Sequence, residues 1–301
     1  MAGRDLIDAA EEIFSKYLVT AYQGVASKFR PYTVQEEMRD ALTITFHTMG
    51  AGMAKQHPGG TNPIAMGSIR HAKKSVSAKD WYEAVPTNVF DQAKTATPQA
   101  RLNIGKAVVT CLMRREDQEV ISALTGGTYT AANSIAVGGT GFTYAKYVEA
   151  MEYFAARGVP MENICVAYSE REKRQASMDD NFINRDLRRG TQRAMTEPEF
   201  LTELAIGGGV CVGSVLYAGE GGLPVGRAGA NIRDIFFWDK TRLGLSDNMT
   251  RQSGIDWSVE RLSNVAWGLQ SQAAVFIDDV EGDRYSNGAF RVECLTTAGL
   301  T

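Results

Sequence analysis

Residues 42–82 combine a weak apolar alternation with many polar positions, and this pattern predicts an extended β-ribbon. Residues 42–49 alternate apolar and polar side chains in the manner of a half-buried strand. Residues 57–63 are rich in glycine and proline and predict a tip, and residues 69–82 predict a cationic return strand. Because a lone hairpin with little apolar surface is marginal in water, we expect the ribbon to find its partner surface elsewhere. A flexible surface loop is the alternative interpretation.

A helix with clear start and stop signals follows the ribbon. Thr97 suits the N-cap, Pro98 suits the first helical position, and Gly126 with Gly127 forms a C-terminal stop. Apolar residues recur at helical spacing between these signals and predict a helix over residues 98–124. At a rise of about 1.5 Å per residue this helix spans about 40 Å. The fully charged turn at residues 114–117 predicts a solvated helix face.

The rest of the chain mixes helices and strands without regular alternation. Helices are predicted at residues 5–23, 143–157 and 170–178, and a helical turn at residues 199–204. In the second helix, helical spacing places the apolar residues on one face: Tyr144, Tyr147, Val148, Met151 and Phe154. Strands are predicted at residues 81–85, 163–168, 210–217, 232–238, 264–278 and 289–295. Residues 24–41 are interpreted as an arm, and the Gly-rich residues 126–141 as a domain boundary. This mixed order predicts an α+β fold rather than a doubly wound sheet.

Composition and charge are those of an ordinary globular protein. Of the 301 residues, 44% are hydrophobic and 22% are charged, and the formal net charge is −3. This charge argues against strong binding to a phosphate backbone. No apolar stretch approaches the roughly 18 residues of a membrane span, and the N-terminus lacks a signal-peptide pattern. Isolated cysteines predict small buried hydrophobes in a reducing compartment: Cys111, Cys165, Cys211 and Cys294.

Two glycine-rich runs are candidates for phosphate binding. Residues 138–143 precede a predicted helix, where a phosphate loop would sit. This run lacks the Lys-Ser/Thr ending of a P-loop and the third glycine of the dinucleotide fingerprint, so a flexible hinge is favoured. Residues 219–226 precede a strand and provide no helix N-terminus for an anion, so we interpret them as a surface loop.

No other motif assembles a catalytic or metal site. No serine lies in a Gly-x-Ser-x-Gly elbow. The three histidines are predicted to be solvated or interface residues of the ribbon: His47, His57 and His71. Adjacent acids point to different faces and predict solvated charges: Glu11-Glu12, Glu36-Glu37, Asp179-Asp180 and Asp278-Asp279. One basic cluster predicts an interface or a solvated helix: Arg185, Arg188, Arg189 and Arg193. A nucleic-acid contact is the weaker alternative, because no aromatic residues lie between these arginines. We therefore predict no catalytic, cofactor-binding or metal-binding residues and no enzyme activity.

The order of these segments resembles a known family. An arm, a long hairpin, the strand at residues 81–85, a long helix, a mixed insertion and terminal strands follow one another. The long helix ends in Arg115-Glu116-Asp117 and Ala123-Leu124-x-Gly126, and this is the most specific single stretch. The chain is similar to the major capsid protein of tailed bacteriophages, which has the Hong Kong 97 capsid fold. The resemblance extends over about residues 14–295 and rests on order and spacing.

The resemblance implies a division into four parts. Residues 1–40 would be the N-terminal arm, and residues 41–85 an extended loop that lies over a neighbouring subunit. Residues 86–135 and 255–301 would form a peripheral domain around the long spine helix, and residues 136–254 an axial domain. The implied function is a structural protein that self-assembles as hexamers and pentamers into an icosahedral shell enclosing double-stranded DNA.

The resemblance also implies partners and a location. The expected partners are further copies of the chain, a portal, a separate scaffolding protein and, as a further candidate, a cement or decoration protein. Packaged DNA would lie close without specific binding, and no membrane partner is expected. The protein would reside in the virion after assembly in the host cytoplasm. Because the arm begins within a few residues of Met1, we expect little or no N-terminal processing.

Some relatives join their subunits by a Lys–Asn isopeptide bond. No partner asparagine or activating acid is identifiable here, so we expect no such bond from the lysines of the ribbon region: Lys55, Lys73, Lys74 and Lys79.

Two alternative functions stay open. An encapsulin-like nanocompartment shell protein would share the fold and carry an enzyme cargo. A soluble nucleotide- or sugar-binding enzyme would use the Gly-rich loops and remain a monomer or dimer.

Overall fold

A computed structural model gives the fold of the protein. The residues that it describes are 27–37, 43–49, 71–88, 98–179, 182, 208–212, 223, 231–259, 263–277 and 288–296. The predicted helices at residues 5–23 and 199–204 and the predicted ribbon tip at residues 57–63 lie outside the described residues.

Three α-helices and eleven strands form within the described residues. The helices are α1 (Pro98–Thr125), α2 (Tyr144–Ala155) and α3 (Glu170–Ala176). The strands are β1 (Val34–Glu37), β2 (Thr43–Met49), β3 (His71–Ser77), β4 (Lys79–Asn88), β5 (Ser134–Ile135), β6 (Ile164–Ser169), β7 (Gly208–Val212), β8 (Ile232–Asp239), β9 (Leu243–Ser258), β10 (Ser263–Phe276) and β11 (Ala289–Leu295). None of these helices combines the length and the apolar character that a membrane span requires.

A four-stranded sheet of order β1-β9-β10-β4 packs against α1. Strand β10 pairs antiparallel with both β9 and β4, whereas β1 pairs parallel with β9 at one edge of the sheet. The helix lies close to β10 because residue 268 is a glycine. A Cβ atom there would lie 2.9 Å from a methyl carbon of Leu112 and 3.0 Å from one of Val108. Gln270 of β10 donates a hydrogen bond of 2.9 Å to the carbonyl oxygen of Leu112.

A five-stranded sheet of order β5-β11-β8-β6-β7 is buried on both faces. Ile235 and Phe237 of β8 pack in a core with α2, whereas Phe236 and Trp238 pack in a second core with the end of α1. Such double burial explains why residues 164–168 of β6 and residues 235–238 of β8 are consecutive apolar residues rather than alternating ones. The second core joins the two sheets because it also contains residues of β9 and β10: Leu243, Leu245 and Phe276.

The predicted ribbon forms, but its base lies on its own chain. Strands β2 and β3 pair antiparallel, with Thr43 opposite Ser77 and Met49 opposite His71. Ile44 and Phe46 are buried in a cluster with residues of the β10 segment: Ala273, Val275 and Ile277. The expectation that the ribbon finds its partner surface elsewhere is therefore wrong for this base. The predicted return strand also divides at Ala78, and its second half, β4, belongs to the four-stranded sheet.

Local signals predicted several other elements well. The long helix ends one residue later than predicted, and β11 has the predicted bounds. Ser169 caps α3 as expected, in a capping box with Glu172. The 16-residue strand β9 was not predicted. It contains glycines and many polar residues, and its extended form is stabilised by antiparallel pairing with β10.

The cysteines differ in their burial. The predicted burial is wrong for Cys111, which is exposed on α1, whereas Cys165 and Cys294 are buried in the two cores as predicted. Burial raises the pKa of Cys165 to about 12 and also raises the pKa of Cys294.

Because the thiolate is the reactive form, we expect a thiol reagent at neutral pH to modify Cys111 much faster than Cys165 and Cys294 in the folded protein. Peptide mapping by mass spectrometry measures each rate, and the Cys111→Ser variant is the control. Equal rates at Cys111 and Cys165 would contradict the described packing.

Candidate functional site: an acidic clamp on the long helix

The charged turn in the middle of α1 is buried. Glu116 is 0% exposed and Asp117 is 8% exposed, whereas Arg114 is exposed. The predicted solvated face is therefore wrong for the two acids, which we call the acidic clamp. They are covered by residues 27–37, which we call the arm segment. Periodicity within the helix cannot reveal this cover, because it comes from a segment nearly 90 positions earlier in the chain.

Asp117 binds the beginning of the arm segment. Its carboxylate accepts a hydrogen bond from the Ser27 hydroxyl and longer ones from the backbone N–H groups of Lys28 (3.4 Å) and Phe29 (3.3 Å). Burial raises the pKa of Asp117, and these hydrogen bonds act in the opposite direction. The carboxylate thus satisfies donors of a chain segment that has no regular secondary structure at this point.

Glu116 binds the arm segment through Arg30. Arg30 Nε lies 2.8 Å from one oxygen of Glu116, and Nη2 lies 3.5 Å from the other. Arg30 Nη2 also lies 2.6 Å from Asp247 of β9. Burial raises the pKa of Glu116, and Arg30 opposes that rise. Burial lowers the pKa of Arg30, but the two carboxylates more than offset this effect, so its pKa is raised overall.

A second set of charges ties α1 to β4. Glu119 is 4% exposed and lies 2.7 Å from Lys79 Nζ and 3.2 Å from Arg115 Nη2. The Arg115 guanidinium also stacks 3.6 Å from the ring centroid of Trp81. Lys79, for which no cross-link is expected, forms its ion pair with Glu119 within its own chain. One turn of α1 therefore holds the arm segment and an edge strand.

Apolar contacts fix the rest of the arm segment. The ring of Phe29 lies 5.9 Å from that of Trp238, and Trp238 Nε1 donates a 3.0 Å hydrogen bond to the carbonyl oxygen of Tyr32. The Tyr32 ring occupies the space where a Cβ atom on Gly208 would lie. Val34–Glu37 then runs parallel to β9. The arm segment consequently contacts α1, the five-stranded sheet and the four-stranded sheet.

The first glycine-rich run is bound to protein groups. The backbone N–H of Phe142 donates to Gln175 Oε1 at 2.9 Å, and that of Tyr144 donates to Asp179 Oδ2 at 2.8 Å. Lys146 Nζ donates to the carbonyl oxygens of Val137, Thr140 and Glu293. Lys146 is 7% exposed, and burial lowers its pKa. Gly138 and Gly139 have positive φ angles, which explains their residue type. This geometry gives the nucleotide-binding alternative no support.

The face of α2 also differs from the prediction. The pattern placed Val148 on the apolar face, but Val148 is 42% exposed, and Lys146 points inward instead. The carbonyl oxygens of the glycine-rich run and of β11 supply acceptors that stabilise a lysine there. Hydrophobic periodicity cannot identify a lysine that points inward in this way.

The remaining candidate site residues do not form a common site within the described residues. His47 and His71 are exposed on one face of the ribbon, opposite Lys73 and Met49 respectively. No group of three metal-ligating residues occurs within the described ranges. Several candidates lie outside the residues whose positions the structure gives: His57, Lys55, Arg185, Arg188, Arg189 and Arg193. The second glycine-rich run also lies there, apart from the buried Leu223.

A family model described as phage capsid protein matches residues 6–190 of the sequence. The chain belongs to the phage capsid protein family. As a member of this family it is a major capsid protein, a structural component of the virion shell. The nanocompartment and enzyme alternatives are not favoured. No curated protein matches the sequence.

Solved phage capsids share the fold. The acid-stable capsid of Helicobacter pylori bacteriophage KHP30 matches with a TM-score of 0.65 and 9% identity, over 88% of each chain. The capsid of Ralstonia phage GP4 matches with a TM-score of 0.62 and 10% identity, over 88% of this chain and 87% of that chain. The capsid of cyanophage P-SCSP1u matches with a TM-score of 0.57 and 16% identity, over 89% and 88%. The fold is the Hong Kong 97-type capsid fold expected from the sequence.

The contribution of Asp117 to stability can be tested by removing its carboxylate. Asp117→Ala leaves the Ser27 hydroxyl and two backbone N–H groups without their acceptor in a buried place. We expect the free energy of unfolding, measured with urea on the unassembled capsid protein, to fall by about 2–3 kcal/mol. The control is Arg114→Ala, an exposed site on the same helix, where a change within about 0.5 kcal/mol is expected. Equal effects of the two substitutions would contradict the role of Asp117.

The raised pKa values predict a pH dependence with a definite sign. The folded chain holds the protons of Glu116 and Asp117 more tightly than the unfolded chain, whose values are near 4.5 and 3.8. Their contribution to stability is therefore present below those values and is lost as the pH rises through the folded pKa values. From about pH 4 upward, the free energy of unfolding should fall less steeply in Glu116→Gln than in the wild type. Parallel curves would show that the Glu116 pKa is not raised.

Proposed function

We propose that this capsid protein assembles as hexamers and pentamers into a closed icosahedral shell around a phage's double-stranded DNA. The observation that carries this proposal is the β2–β3 ribbon. Its base is fixed on β10 by Ile44 and Phe46, while its other face exposes polar and cationic side chains. A two-stranded ribbon anchored at one end leaves its backbone edges available to another subunit. Many weak contacts of this kind, repeated by symmetry, give a robust shell.

The proposed division of the subunit follows its sheets. We assign residues 1–40 to an N-terminal arm, 41–85 to an extended loop, 86–135 with 255–301 to a peripheral domain, and 136–254 to an axial domain. Helix α1 packs on β10 and helix α2 is buried against the five-stranded sheet, which supports assigning the two helices to different domains. Strand pairing favours two adjustments. Lys79–Asn88 pairs with β10, so we assign this strand to the peripheral domain. Ala289–Leu295 pairs with β8, so we assign this strand to the axial domain.

The proposed partners include copies of the chain, a portal and a separate scaffolding protein, with a cement protein as a further candidate. Assembly would take place in the host cytoplasm. The formal net charge of −3 supports a container that lies close to packaged DNA without binding it through counterion release. We propose no catalytic role, no resident cofactor or metal and no covalent cross-link. The ion pair of Lys79 with Glu119 supports the last point for that lysine.

Electron microscopy tests the shell directly. Negative-stain images of the expressed full-length protein, with size-exclusion chromatography alongside, should show closed shells, tubes, or rings of five and six subunits. Co-expression with a candidate scaffolding protein is the second arm of the experiment. A monomer or dimer that persists at high concentration in both arms would overturn the proposal.

The ribbon can be tested by deletion. Removing residues 50–68 between β2 and β3 keeps the buried base formed by Ile44 and Phe46, so we expect a soluble, folded subunit. This subunit should assemble poorly, because contacts made by the loop on its neighbour are lost. Particle yield by electron microscopy and the thermal unfolding midpoint separate assembly from folding. The control replaces residues 50–68 with a Gly/Ser linker of equal length. Normal shells from the deleted protein would disprove this role of the ribbon.

A further inference from the structure

One side of α2 is exposed and carries negative charge. Its exposed residues recur at helical spacing and form a single stripe, which we call the α2 acidic face: Ala145, Val148, Glu149, Glu152 and Ala155. Glu149 and Glu152 form no ion pair with any residue that the structure describes. Val148 is 42% exposed and the two alanines are small, so a second helix can approach this stripe closely.

The exposed side of α3 carries positive charge. Arg171 and Arg174 are exposed and lie three residues apart, so they share one side of the helix. Met178 follows in the turn after α3 and is 52% exposed. We call these three residues the α3 basic face. The remaining charged residues of α3 are paired or buried: Glu170, Glu172 and Lys173.

The two faces stay apart within one subunit. Helix α2 packs on β11 and helix α3 packs on β6, and β8 lies between these two strands. Because neighbouring strands are about 4.8 Å apart, about 10 Å of sheet separates the strands on which the helices pack. Both helices bury their other sides in the same core, through residues such as Phe154 and Ala176. Within the described part of the chain no ion pair joins α2 to α3, so each subunit presents two separate faces of opposite charge.

Charge decides which faces of two copies can meet. Two α2 acidic faces repel each other, and so do two α3 basic faces, because bringing like charges together costs free energy. An α2 acidic face and an α3 basic face attract each other. Each also carries one exposed apolar side chain beside its charges, Val148 or Met178, as the two sides of a protein interface do. Repulsion between like faces and attraction between unlike faces together specify a single pairing.

We propose that the α2 acidic face of one copy of the chain docks on the α3 basic face of a second copy. The two glutamates then meet the two arginines, and Val148 packs beside Met178. The contact joins two different patches, so it is heterologous, and its repetition about an axis closes a ring. Its place inside hexamers and pentamers rests on the proposed function, whereas the pairing of the two faces does not.

Charge reversal tests the pairing in assembly. Glu149→Lys with Glu152→Lys gives one reversed variant, and Arg171→Glu with Arg174→Glu gives the other. Each variant places like charges on both sides of the contact. We therefore expect about tenfold fewer rings and shells than in the wild type, counted by electron microscopy after expression with a candidate scaffolding protein.

A matched control separates this contact from net charge. Glu36→Lys with Glu162→Lys makes the same charge change as the first reversed variant, at exposed sites outside both faces, and should assemble like the wild type. All of these variants change exposed side chains, so the thermal unfolding midpoint of the unassembled proteins should stay near that of the wild type.

A mixture of the two reversed variants gives a sharper result. Complementary contacts return when the two proteins alternate around a ring. Alternation closes in a ring of six subunits but not in a ring of five. The mixture should therefore form hexameric rings or tubes without closed shells.

Disulfide formation tests the pairing without a shell. One protein carries Val148→Cys and the other Met178→Cys, both in a Cys111→Ser, Cys211→Ser background. We expect the equimolar mixture, oxidised at high protein concentration, to form linked pairs of chains about tenfold faster than either protein alone, because like faces repel. Peptide mapping by mass spectrometry identifies the two joined positions.

The outcomes distinguish this contact from the proposed function. Wild-type shells together with normal shells from both reversed variants would overturn the contact and leave the proposed function in place. The contact is also overturned if mixing the reversed variants restores no assembly, or if linked chains form equally fast in the mixture and in the single proteins. Disulfide-linked pairs in the mixture without any wild-type assembly would overturn the proposed function alone.

Discussion

Burial of Glu116 and Asp117 in the middle of α1 is the constraint around which the arm segment is arranged. A carboxylate removed from water without partners costs several kcal/mol, so each of these two must be met by donors of suitable geometry. The arm segment supplies them within four residues, through the Ser27 hydroxyl, two backbone N–H groups and the Arg30 guanidinium. The requirement acts in both directions, because the same backbone N–H groups need an acceptor once Phe29 enters the core. Satisfying one set of polar groups therefore positions the other.

Different parts of the long helix have different structural roles. Its C-terminal part contributes Val120, Ile121 and Leu124 to the core between the sheets, where the contacts are apolar and non-directional. Its middle turn binds neighbouring segments through charges, which are directional and specify register. Further towards the N-terminus, Val108 and Leu112 lie against Gly268, where the absence of a side chain sets the distance between helix and sheet. Stability, register and spacing are thus supplied by successive parts of one element.

Local signals explain which features could be predicted from the sequence. Pro98 and Gly126 mark the two ends of the region predicted as α1, and the apolar residues 235–238 lie in the doubly buried β8. The mixed order of elements then predicts the α+β class. The acidic clamp could not be predicted, because an Arg-Arg-Glu-Asp turn has the same pattern whether water or Arg30 meets its carboxylates. The inward Lys146 was missed for the same reason, since its acceptors are carbonyl oxygens of distant segments.

The balance between polar and apolar contacts also fits what a shell subunit has to do. Both cores are formed by residues of a single chain. The outward face of the ribbon is mostly polar, and such a surface stays soluble when it is free and associates when a partner supplies matching donors and acceptors. Identities of 9–16% to solved phage capsids show that chains of very different sequence share this fold. In this chain, α1 packs on the four-stranded sheet and holds the arm segment through the carboxylates of Glu116 and Asp117.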